Sequence, residues 1–317
     1  MLAVVCPGQG SQTPGMLGPW LELPGLNELL GTWSELAGVD LVAHGTTSDA
    51  DTIRDTAVAQ PLIVGASLLS AHAILGDELG SVDVTAGHSV GEFAAAALAG
   101  VLSPEQAIRL VGVRGAAMAR AAAAEPTGMS AVLGGQPDDV TARLDELGLV
   151  GANVNGGGQV VAAGSLDALA ALAAEPPTRA RVIPLQVAGA FHTETMRPAV
   201  AELQDAVDAL PTAGAPAAPR VPLLSNADGA VVTDRDDALA RLVRQVANPV
   251  RWDLCQATLA ERGVTGLLEL APGGVLTGLA RRTLPGVEAF AVKSADDVDA
   301  ARAFVARHAG AGTSSGA

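Results

Sequence analysis

The sequence predicts an α/β fold, in which a large domain on a mainly parallel sheet carries a smaller inserted subdomain. Strand-like and helix-like segments alternate along the 317 residues, as they do in strand–helix–strand units. Near residue 125 the predicted elements become shorter, and near residue 189 longer elements return. A chain of this length can bury a large core and usually divides into more than one unit.

The large domain opens with the apolar segment 2–6, which predicts a buried strand that ends at the glycine-rich turn 7–12. A second strand is expected at 82–86, and helices are expected at 60–76, 93–99 and 103–120. Strands that are joined through helices in this way pair in parallel.

Between 125 and 188 the predicted order is strand, helix, two strands, helix, strand, which is that of a ferredoxin-like subdomain. The elements are expected at 129–133, 137–147, two strands within 150–163 joined at 156–158, 166–174 and 182–187. The subdomain is therefore an insertion, and the large domain comprises 1–124 and 189–308.

The second half of the large domain starts with an amphipathic helix over 198–210. A strand at 221–224, a helix at 236–246 and a buried strand at 264–270 are expected to follow. The last nine residues, 309–317, are small and polar, and we expect a disordered tail there.

Composition narrows the possible partners. The formal net charge of −15 argues against nucleic acid, because phosphate binding needs clustered Lys and Arg. No apolar run approaches the ~18 residues that span a bilayer, so no membrane partner is expected. The N-terminus lacks the basic start and long apolar region of a signal peptide, which favours a cytoplasmic protein. Cys6 and Cys255 have neither metal-site spacing nor a disulfide framework.

The segment Gly87-His88-Ser89-Val90-Gly91 matches G-x-S-x-G between a predicted strand and a predicted helix. In that context the pattern is a nucleophile elbow, in which a sharp turn exposes the serine Oγ at the positive end of the helix. The motif also occurs by chance, but its position favours Ser89 as a nucleophile for acyl transfer or acyl hydrolysis.

A serine hydroxyl needs a general base, and His192 is the favoured candidate among five histidines. It lies where the chain returns from the subdomain, and domain junctions are where ligand clefts form. A capping role is its plainer alternative. His44 falls in an expected loop, His308 beside the tail and His72 in a helical run, while a structural role is favoured for His88.

An oxyanion hole needs backbone N–H donors near the nucleophile. Val90 follows the serine and offers one, and the loop Gly8-Gln9-Gly10 could offer another. Arg114 lies in an otherwise apolar helical stretch, where an arginine usually snorkels or pairs with a surface acid. If it faced a cleft instead, its planar guanidinium would suit a substrate carboxylate.

Several short segments together resemble one known family, the malonyl-CoA:acyl carrier protein transacylases of fatty acid and polyketide synthesis. They are 7–12 (Pro-Gly-Gln-Gly-Ser-Gln), Gln60-Pro61, 87–92 (Gly-His-Ser-Val-Gly-Glu), Arg114-Gly115, 153–156, 189–192 (Gly-Ala-Phe-His), 245–252 and 272–279. Each segment is a weak signal, whereas their order and spacing are highly specific. The resemblance covers the chain nearly end to end, apart from the tail.

The resemblance implies a large α/β-hydrolase-like domain with the active site between it and the ferredoxin-like insertion. By position, Ser89 is the nucleophile and His192 the base in a Ser-His dyad. The resemblance also implies that the N–H groups of Gln9 and Val90 form the oxyanion hole. It implies that Arg114 binds the malonyl carboxylate and that Gln60 and Phe191 contact the substrate. The Gln245 carbonyl is implied to orient the histidine. Phe191 and Val90 imply a preference for malonyl over methylmalonyl.

The implied partners are malonyl-CoA and holo acyl carrier protein, with CoA thioester and carrier-bound phosphopantetheine as substrates and no bound cofactor or metal. Arg281-Arg282 and Arg179/Arg181 are candidates for a basic docking patch, with ordinary solvated arginines as the alternative. Two rival functions stay open. One is a serine esterase or thioesterase that uses water as acceptor, and the other is a non-enzymatic subunit with a vestigial serine. A malonate decarboxylase transferase subunit is a more distant possibility.

Overall fold

The computed structural model describes residues 1–76, 81–211 and 216–309. Its strands form two sheets, one of six strands and one of five. The strands are β1 Leu2–Cys6, β2 Val84–Gly87, β3 Thr127–Gly134, β4 Val150–Gly156, β5 Gln159–Ser165, β6 Ala180–Pro184, β7 Leu223–Leu224, β8 Val231–Val232, β9 Val250–Arg251, β10 Gly266–Glu269 and β11 Glu288–Ala291.

Thirteen α-helices occur in the described ranges and surround the two sheets. They are α1 Gly18–Leu21, α2 Leu26–Ala37, α3 Leu41–Thr46, α4 Thr56–Leu75, α5 Gly91–Leu98, α6 Pro104–Ala124, α7 Pro137–Glu146, α8 Leu166–Ala174, α9 Arg197–Asp208, α10 Arg235–Arg244, α11 Trp252–Glu261, α12 Val275–Thr283 and α13 Val298–His308. Short 3-10 turns occupy Thr52–Arg54, Glu194–Met196, Gln245–Ala247 and Ala295–Asp297. The expected mixed α/β class is confirmed.

The larger sheet has the order β11-β10-β1-β2-β7-β8, and all its strands are parallel except β8. Every residue of β1, β2 and β10 is buried. Alternate residues of β1 pack into two separate cores, one on each face of the sheet. Strands of a parallel sheet that is covered on both faces are apolar at every position, and not only at alternate ones. The strand at 2–6 was therefore recognisable in the sequence.

Helices α4 and α6 pack together beside the sheet, and α6 begins where local sequence dictates. Ser103 forms a capping box with Gln106, and Pro104 follows at the first helical position. Gly112 and Gly115 let neighbouring backbone approach this helix. An added Cβ would lie 2.4 Å from the Ala37 carbonyl oxygen at the first and 2.9 Å from that of Thr56 at the second. The close packing places the middle of α6 in the protein interior.

Helix α4 corrects the expectation that no apolar run approaches the length of a membrane span. Its 20 residues include an 18-residue window of mean hydropathy 1.6, and α4 alone among the described residues passes this test of length and composition. Within the protein, 83% of that window is buried. A buried core helix meets the same test as a spanning one, so α4 is weak evidence for a membrane.

The smaller sheet has the order β6-β3-β5-β4-β9, antiparallel except for the β4–β9 pair. Helices α7 and α8 cover one face, where Val140, Leu144 and Leu172 join a separate small core. Strand β9 comes from the second half of the chain and extends this sheet through Asn153 and Val154 of β4. The smaller sheet therefore includes a strand from the part of the chain that follows the expected insertion.

Every element expected from the sequence is present, with boundaries that differ by a few residues, whereas nine further helices and strands of the described ranges were not expected: α1, α2, α3, α11, α12, α13, β8, β9 and β11. Leu2–Cys6 and Leu166–Ala174 occupy the expected spans, whereas β6 ends at Pro184 instead of 187. His44 is a correction, because it lies in helix α3 and not in a loop. Of the expected tail at 309–317, all but Ala309 lies outside the described residues.

Candidate active site

The turn between β2 and α5 is built on close contacts that only glycine permits. A Cβ on Gly87 would lie 2.0 Å from the carbonyl carbon of Gly91, and a Cβ on Gly91 would lie 2.3 Å from the Cys6 carbonyl oxygen. Real Cβ atoms do not approach other atoms so closely. The two flanking glycines of the motif therefore allow strand, turn and helix to pack against the end of β1.

Ser89 sits at the apex of this turn with a left-handed backbone, φ = 52°. Non-glycine residues adopt this conformation at a cost of about 1–3 kcal/mol, and such strain is concentrated at functional sites. The Ser89 N–H donates to Asn226 Oδ1 at 2.8 Å, and Asn226 Nδ2 donates to the Gly87 carbonyl at 2.7 Å. One asparagine side chain thus ties together both sides of the turn and holds the serine in place.

The His192 imidazole lies between the serine and a main-chain carbonyl. Its Nε2 is 2.7 Å from Ser89 Oγ, and its Nδ1 is 2.8 Å from the Gln245 carbonyl oxygen. A carbonyl can only accept, so Nδ1 carries the proton and Nε2 is free to accept from the hydroxyl. The structure therefore brings together the predicted nucleophile, base and orienting carbonyl.

The loop before His192 is fixed by its own hydrogen bonds. Ala190 N–H donates to Thr127 Oγ1 at 3.0 Å, and the Thr193 hydroxyl donates to the Ala190 carbonyl at 2.6 Å. His192 itself has φ = 62°, a second left-handed residue in the site. Phe191 is buried directly beside it, at 6% exposure. These hydrogen bonds hold the loop, and with it the His192 imidazole, in one position.

Burial keeps this imidazole neutral. The pKa of His192 falls to about 3, chiefly because burial disfavours the charged ring and secondly because Arg114 is nearby. The Gln245 carbonyl acts in the opposite direction. A neutral imidazole is the form that can take a proton from serine.

Arg114 is 1% exposed and extends from α6 into the same region. Its Nη1 donates to Gln60 Oε1 at 2.6 Å and its Nη2 to Gln245 Oε1 at 2.7 Å. Burial lowers the pKa of Arg114 to about 10, so the group remains charged at neutral pH. The guanidinium therefore does not snorkel to the surface, and its two direct acceptors are neutral amides. Such a group is equipped to receive an anion.

The Gly8-Gln9-Gly10 loop runs beside the elbow. A Cβ on Gly8 would lie 2.7 Å from the His88 carbonyl oxygen, so the loop backbone approaches the residue before Ser89. Within the described part of the chain, neither the Gln9 nor the Val90 N–H donates to a protein acceptor. The Gln9 side chain donates to Thr56 Oγ1 at 3.3 Å. Both N–H groups are therefore free for a ligand oxygen.

His88 is held in a structural network next to the serine. Its Nε2 is 2.8 Å from Asn155 Oδ1, and its ring meets that of Trp252 edge-on with 5.8 Å between centroids. Burial lowers the pKa of His88 as well. The ring lies against Gly8 and has no contact with the Ser89 hydroxyl, in keeping with the structural role favoured for it.

Two residues of the site were not found by sequence reasoning. Asn226 is 137 positions from Ser89 and reaches it only through the pairing of β2 with β7, so no local pattern marks it. Glu92 is buried at 4% exposure and receives hydrogen bonds from the Asn226 N–H and the Gln245 amide. A lone acid in an alanine-rich helix was the signal that could have marked Glu92.

The remaining candidates lie on the surface. Arg179, Arg181, Arg281 and Arg282 are exposed, and none of them takes part in an ion pair within residues 1–76, 81–211 and 216–309. Arg282 lies against Gly157, where an added Cβ would be 3.4 Å from the Arg282 Cβ, and Gly134 lies against the Arg179 carbonyl oxygen.

Cys6 and Cys255 are buried free thiols. The described residues contain no cluster of three or more potential metal ligands.

The chain matches the model of the acyl transferase domain family over residues 3–306. The malonyl CoA-acyl carrier protein transacylase of Mycobacterium tuberculosis is 53% identical over 302 residues, which cover 94% of this chain and 98% of the relative. The enzyme of that name from Escherichia coli K12 is 35% identical over 308 residues, with coverage of 94% and 98%.

Solved structures agree with these relatives. The crystal structure of MCAT from Mycobacterium tuberculosis has a TM-score of 0.91 at 52% identity and covers 95% of this chain and 99% of its own. A malonyl-transacylase in complex with its holo type II PKS acyl-carrier protein has a TM-score of 0.85 at 31% identity, with coverage of 95% and 99%. Both likenesses extend over almost the whole of each chain.

Proposed function

The chain belongs to the malonyl CoA-acyl carrier protein transacylase family of acyl transferases, and we propose that it moves a malonyl group from malonyl-CoA to the phosphopantetheine thiol of holo acyl carrier protein. The single observation that carries the assignment is the Ser89–His192 contact of 2.7 Å beside a buried, amide-bound Arg114. Nucleophile, base and anion receptor are the three groups that this reaction needs.

The first half-reaction loads the enzyme. His192 Nε2 takes the proton of Ser89 Oγ as that oxygen attacks the thioester carbonyl of malonyl-CoA. The oxyanion of the tetrahedral intermediate accepts hydrogen bonds from the N–H groups of Gln9 and Val90, each worth roughly 3 kcal/mol in comparable enzymes. The C–S bond then breaks, the proton on His192 passes to the CoA sulfur, and malonyl-Ser89 remains.

The second half-reaction discharges it by the same steps in reverse. His192 takes the proton of the carrier-protein thiol, and the resulting sulfur nucleophile attacks the ester carbonyl. The ester bond to Ser89 breaks, its oxygen regains a proton from His192, and malonyl carrier protein leaves. Ping-pong kinetics follow from the covalent intermediate. No step requires a metal ion or a bound cofactor.

Arg114 gives this site its preference for an acyl group with a free carboxylate. Its buried guanidinium, bound by the Gln60 and Gln245 amides, gains a charged partner when malonyl enters. Leaving it without one is costly, so a neutral acetyl group is bound less well. Phe191, packed beside the base, and Val90, next to the nucleophile, narrow the space at the α-carbon and favour malonyl over methylmalonyl.

We assign the larger sheet and its helices, 1–124 and 189–308, to an α/β-hydrolase-like catalytic domain. The strand order β6-β3-β5-β4 supports a ferredoxin-like subdomain at 125–188. A cytoplasmic location suits an enzyme that meets CoA thioesters and carrier proteins. The exposed arginines 179, 181, 281 and 282 are proposed to meet the acidic carrier protein, against the overall charge of −15. The product serves fatty acid or polyketide synthesis.

The fate of the malonyl-enzyme tests this function. Enzyme loaded with malonyl-CoA is separated from free CoA and followed in buffer, with added pantetheine, and with holo acyl carrier protein. We expect slow decay in buffer and rapid transfer to the thiol acceptors. Fast release of free malonate in buffer would instead identify a thioesterase that uses the same serine and oxyanion hole.

A further inference from the structure

Glu92 is a buried acid that the proposed mechanism does not use. It follows the elbow on α5, and its carboxylate lies inside the site, at 4% exposure. Oε1 accepts from the Asn226 main-chain N–H at 2.6 Å, and Oε2 accepts from the Gln245 side-chain amide. Both oxygens accept from N–H donors, which is the arrangement of an ionised carboxylate. Burial raises the pKa of Glu92, whereas the hydrogen bonds from the Asn226 N–H and the Gln245 amide, followed by the charge of Arg114, lower it.

Gln245 connects this acid to the rest of the site. Its Nε2 donates to Glu92 and, at 2.9 Å, to the Ser89 carbonyl, while its Oε1 accepts from Arg114 Nη2 at 2.7 Å. The same residue's main-chain carbonyl accepts from His192 Nδ1 at 2.8 Å. One glutamine therefore contacts the nucleophile's backbone, the base and the anion receptor.

We propose that Glu92 is a positioning residue that fixes the orientation of the Gln245 amide, and through it aims the Arg114 guanidinium at the substrate carboxylate. The inference rests on the proposed function and adds a specificity residue to it. A carboxylate can only accept hydrogen bonds, so the amide must turn its NH2 toward Glu92. Its oxygen then faces Arg114, which can only donate.

The donors and acceptors of this hydrogen-bond network cannot exchange roles. The Asn226 N–H is a main-chain donor and the Ser89 carbonyl a main-chain acceptor, so neither can turn over. A glutamine at 92 must keep its oxygen toward the Asn226 N–H, which places its own NH2 opposite the NH2 of Gln245. A turn of the Gln245 amide relieves that contact but directs NH2 at Arg114. An acid at 92 is therefore the side chain that satisfies every partner.

The test is the variant Glu92→Gln, which has the same shape, assayed by formation of the acyl-enzyme. Two acyl donors are compared: malonyl-CoA, which needs Arg114, and a small neutral activated ester, which does not. We expect kcat/KM for malonyl-CoA to fall about tenfold or more, mainly through KM, because buried polar groups lose their partners. The rate with the neutral ester should fall by a clearly smaller factor, because that donor does not depend on Arg114, whereas a general structural defect would lower both rates equally.

A double-mutant cycle with Gln245→Met tests the route of the effect, since this variant removes the amide and keeps the main-chain carbonyl. If Glu92 acts through the amide, Glu92→Gln adds little to Gln245→Met, and the double variant is within about threefold of the worse single. Glu92→Asp keeps an acceptor-only group and should retain more malonyl preference than Glu92→Gln. If Glu92→Gln does not fold, Glu92→Asp takes its place in the cycle, because the shorter carboxylate still loses part of its contact with the Gln245 amide.

Glu269→Gln is the matched control. Glu269 is also a fully buried acid, but it accepts from the N–H groups at the start of α12 and has no hydrogen bond to Arg114 or Gln245 among the described residues. The Glu269→Gln variant should be less stable than the wild-type enzyme, but the ratio of its acylation rates with malonyl-CoA and with the neutral ester should be unchanged. Equal losses with both donors in Glu92→Gln, an unaltered malonyl rate, or effects that multiply in the cycle would each overturn the proposal. Failure of wild-type enzyme to form malonyl-enzyme would instead refute the proposed function.

Discussion

Ser89 and His192 both hold left-handed backbone conformations, with φ of 52° and 62°, and their Oγ and Nε2 atoms lie 2.7 Å apart. Apart from glycines, Arg179 is the one further residue of the described ranges with a positive φ. Two strained residues from distant parts of the chain thus meet in one hydrogen bond. The strain is maintained by the glycine contacts of the elbow and by the hydroxyls that tie down the histidine loop.

Arg114→Ala is expected to remove malonyl loading selectively. Truncating one partner of a buried, hydrogen-bonded charge pair costs about 2–5 kcal/mol, which corresponds to a fall of roughly 30-fold to several thousand-fold in kcat/KM for malonyl-CoA. Acetyl loading has no carboxylate to lose and should persist or increase. Acyl-enzyme formation with malonyl-CoA and acetyl-CoA measures both, and equal losses would reject Arg114 as the carboxylate receptor.

Acylation of Ser89 should persist well below pH 6.5. Burial and Arg114 lower the pKa of His192, so its proton leaves at a lower pH and the neutral base remains present as the solution becomes acidic. The measurement is the pH profile of acylation by a neutral activated ester, over the range in which circular dichroism reports folded protein. Arg114→Ala removes one cause of the shift and should move the acidic limb upward.

A matched control for that profile is His72→Ala, because His72 is an exposed residue of α4. It should leave the acidic limb where it is in the wild-type enzyme. A wild-type limb at pH 6.5 or above would contradict a desolvated imidazole as the base.

Phe191→Ser is expected to relax the choice between malonyl and methylmalonyl. One additional methyl group in a pocket changes binding by about 1–3 kcal/mol, so the methylmalonyl-to-malonyl ratio of kcat/KM should rise by about tenfold or more. Loss of a buried ring also costs roughly 3–5 kcal/mol of unfolding free energy. Phe290→Ser, on the edge strand β11, is the control. An unchanged ratio in Phe191→Ser would remove this residue from the substrate pocket.

Arg282→Glu tests carrier-protein docking on the surface next to Gly157. We expect a higher apparent KM for holo acyl carrier protein and a weaker dependence of the rate on salt, with malonyl-CoA loading unaltered. Arg109→Glu provides the comparison, since Arg109 is an exposed arginine of α6 with no ion pair among the described residues. An apparent KM that responds equally to both charge reversals would reject a specific patch.

The sequence predicted those features that depend on local chemistry. The turn between strand and helix at Ser89 was recognisable because its glycines are adjacent in sequence to the serine, and the order of strands and helices between 125 and 188 was recognisable because these elements follow one another along the chain. Arg114 was ambiguous, because an apolar helix explains either a snorkelling or a buried arginine. Only the packing of α6 against α4, which brings Gln60 to 2.6 Å from it, decides between them.

Contacts between distant segments explain what was missed. Asn226 follows β7, and its contact with Ser89 exists because β7 pairs with β2 in the sheet. Glu92 receives its partners from two other segments, so its role cannot be inferred from α5 alone. The start of α6 was predicted to within one residue, because the capping side chain of Ser103 and Pro104 are visible in the sequence, whereas its C-terminal end lies at Ala124 instead of 120.

The attachment site of the malonyl group tests the central claim most directly. The enzyme is treated with malonyl-CoA, digested, and mapped by mass spectrometry, beside Ser89→Ala and the control Ser103→Ala at the start of α6. We predict a malonyl ester on the peptide that contains Ser89, in the wild-type enzyme and in Ser103→Ala, and none in Ser89→Ala. A malonyl group on another residue, or an adduct that persists in Ser89→Ala, would contradict Ser89 as the nucleophile.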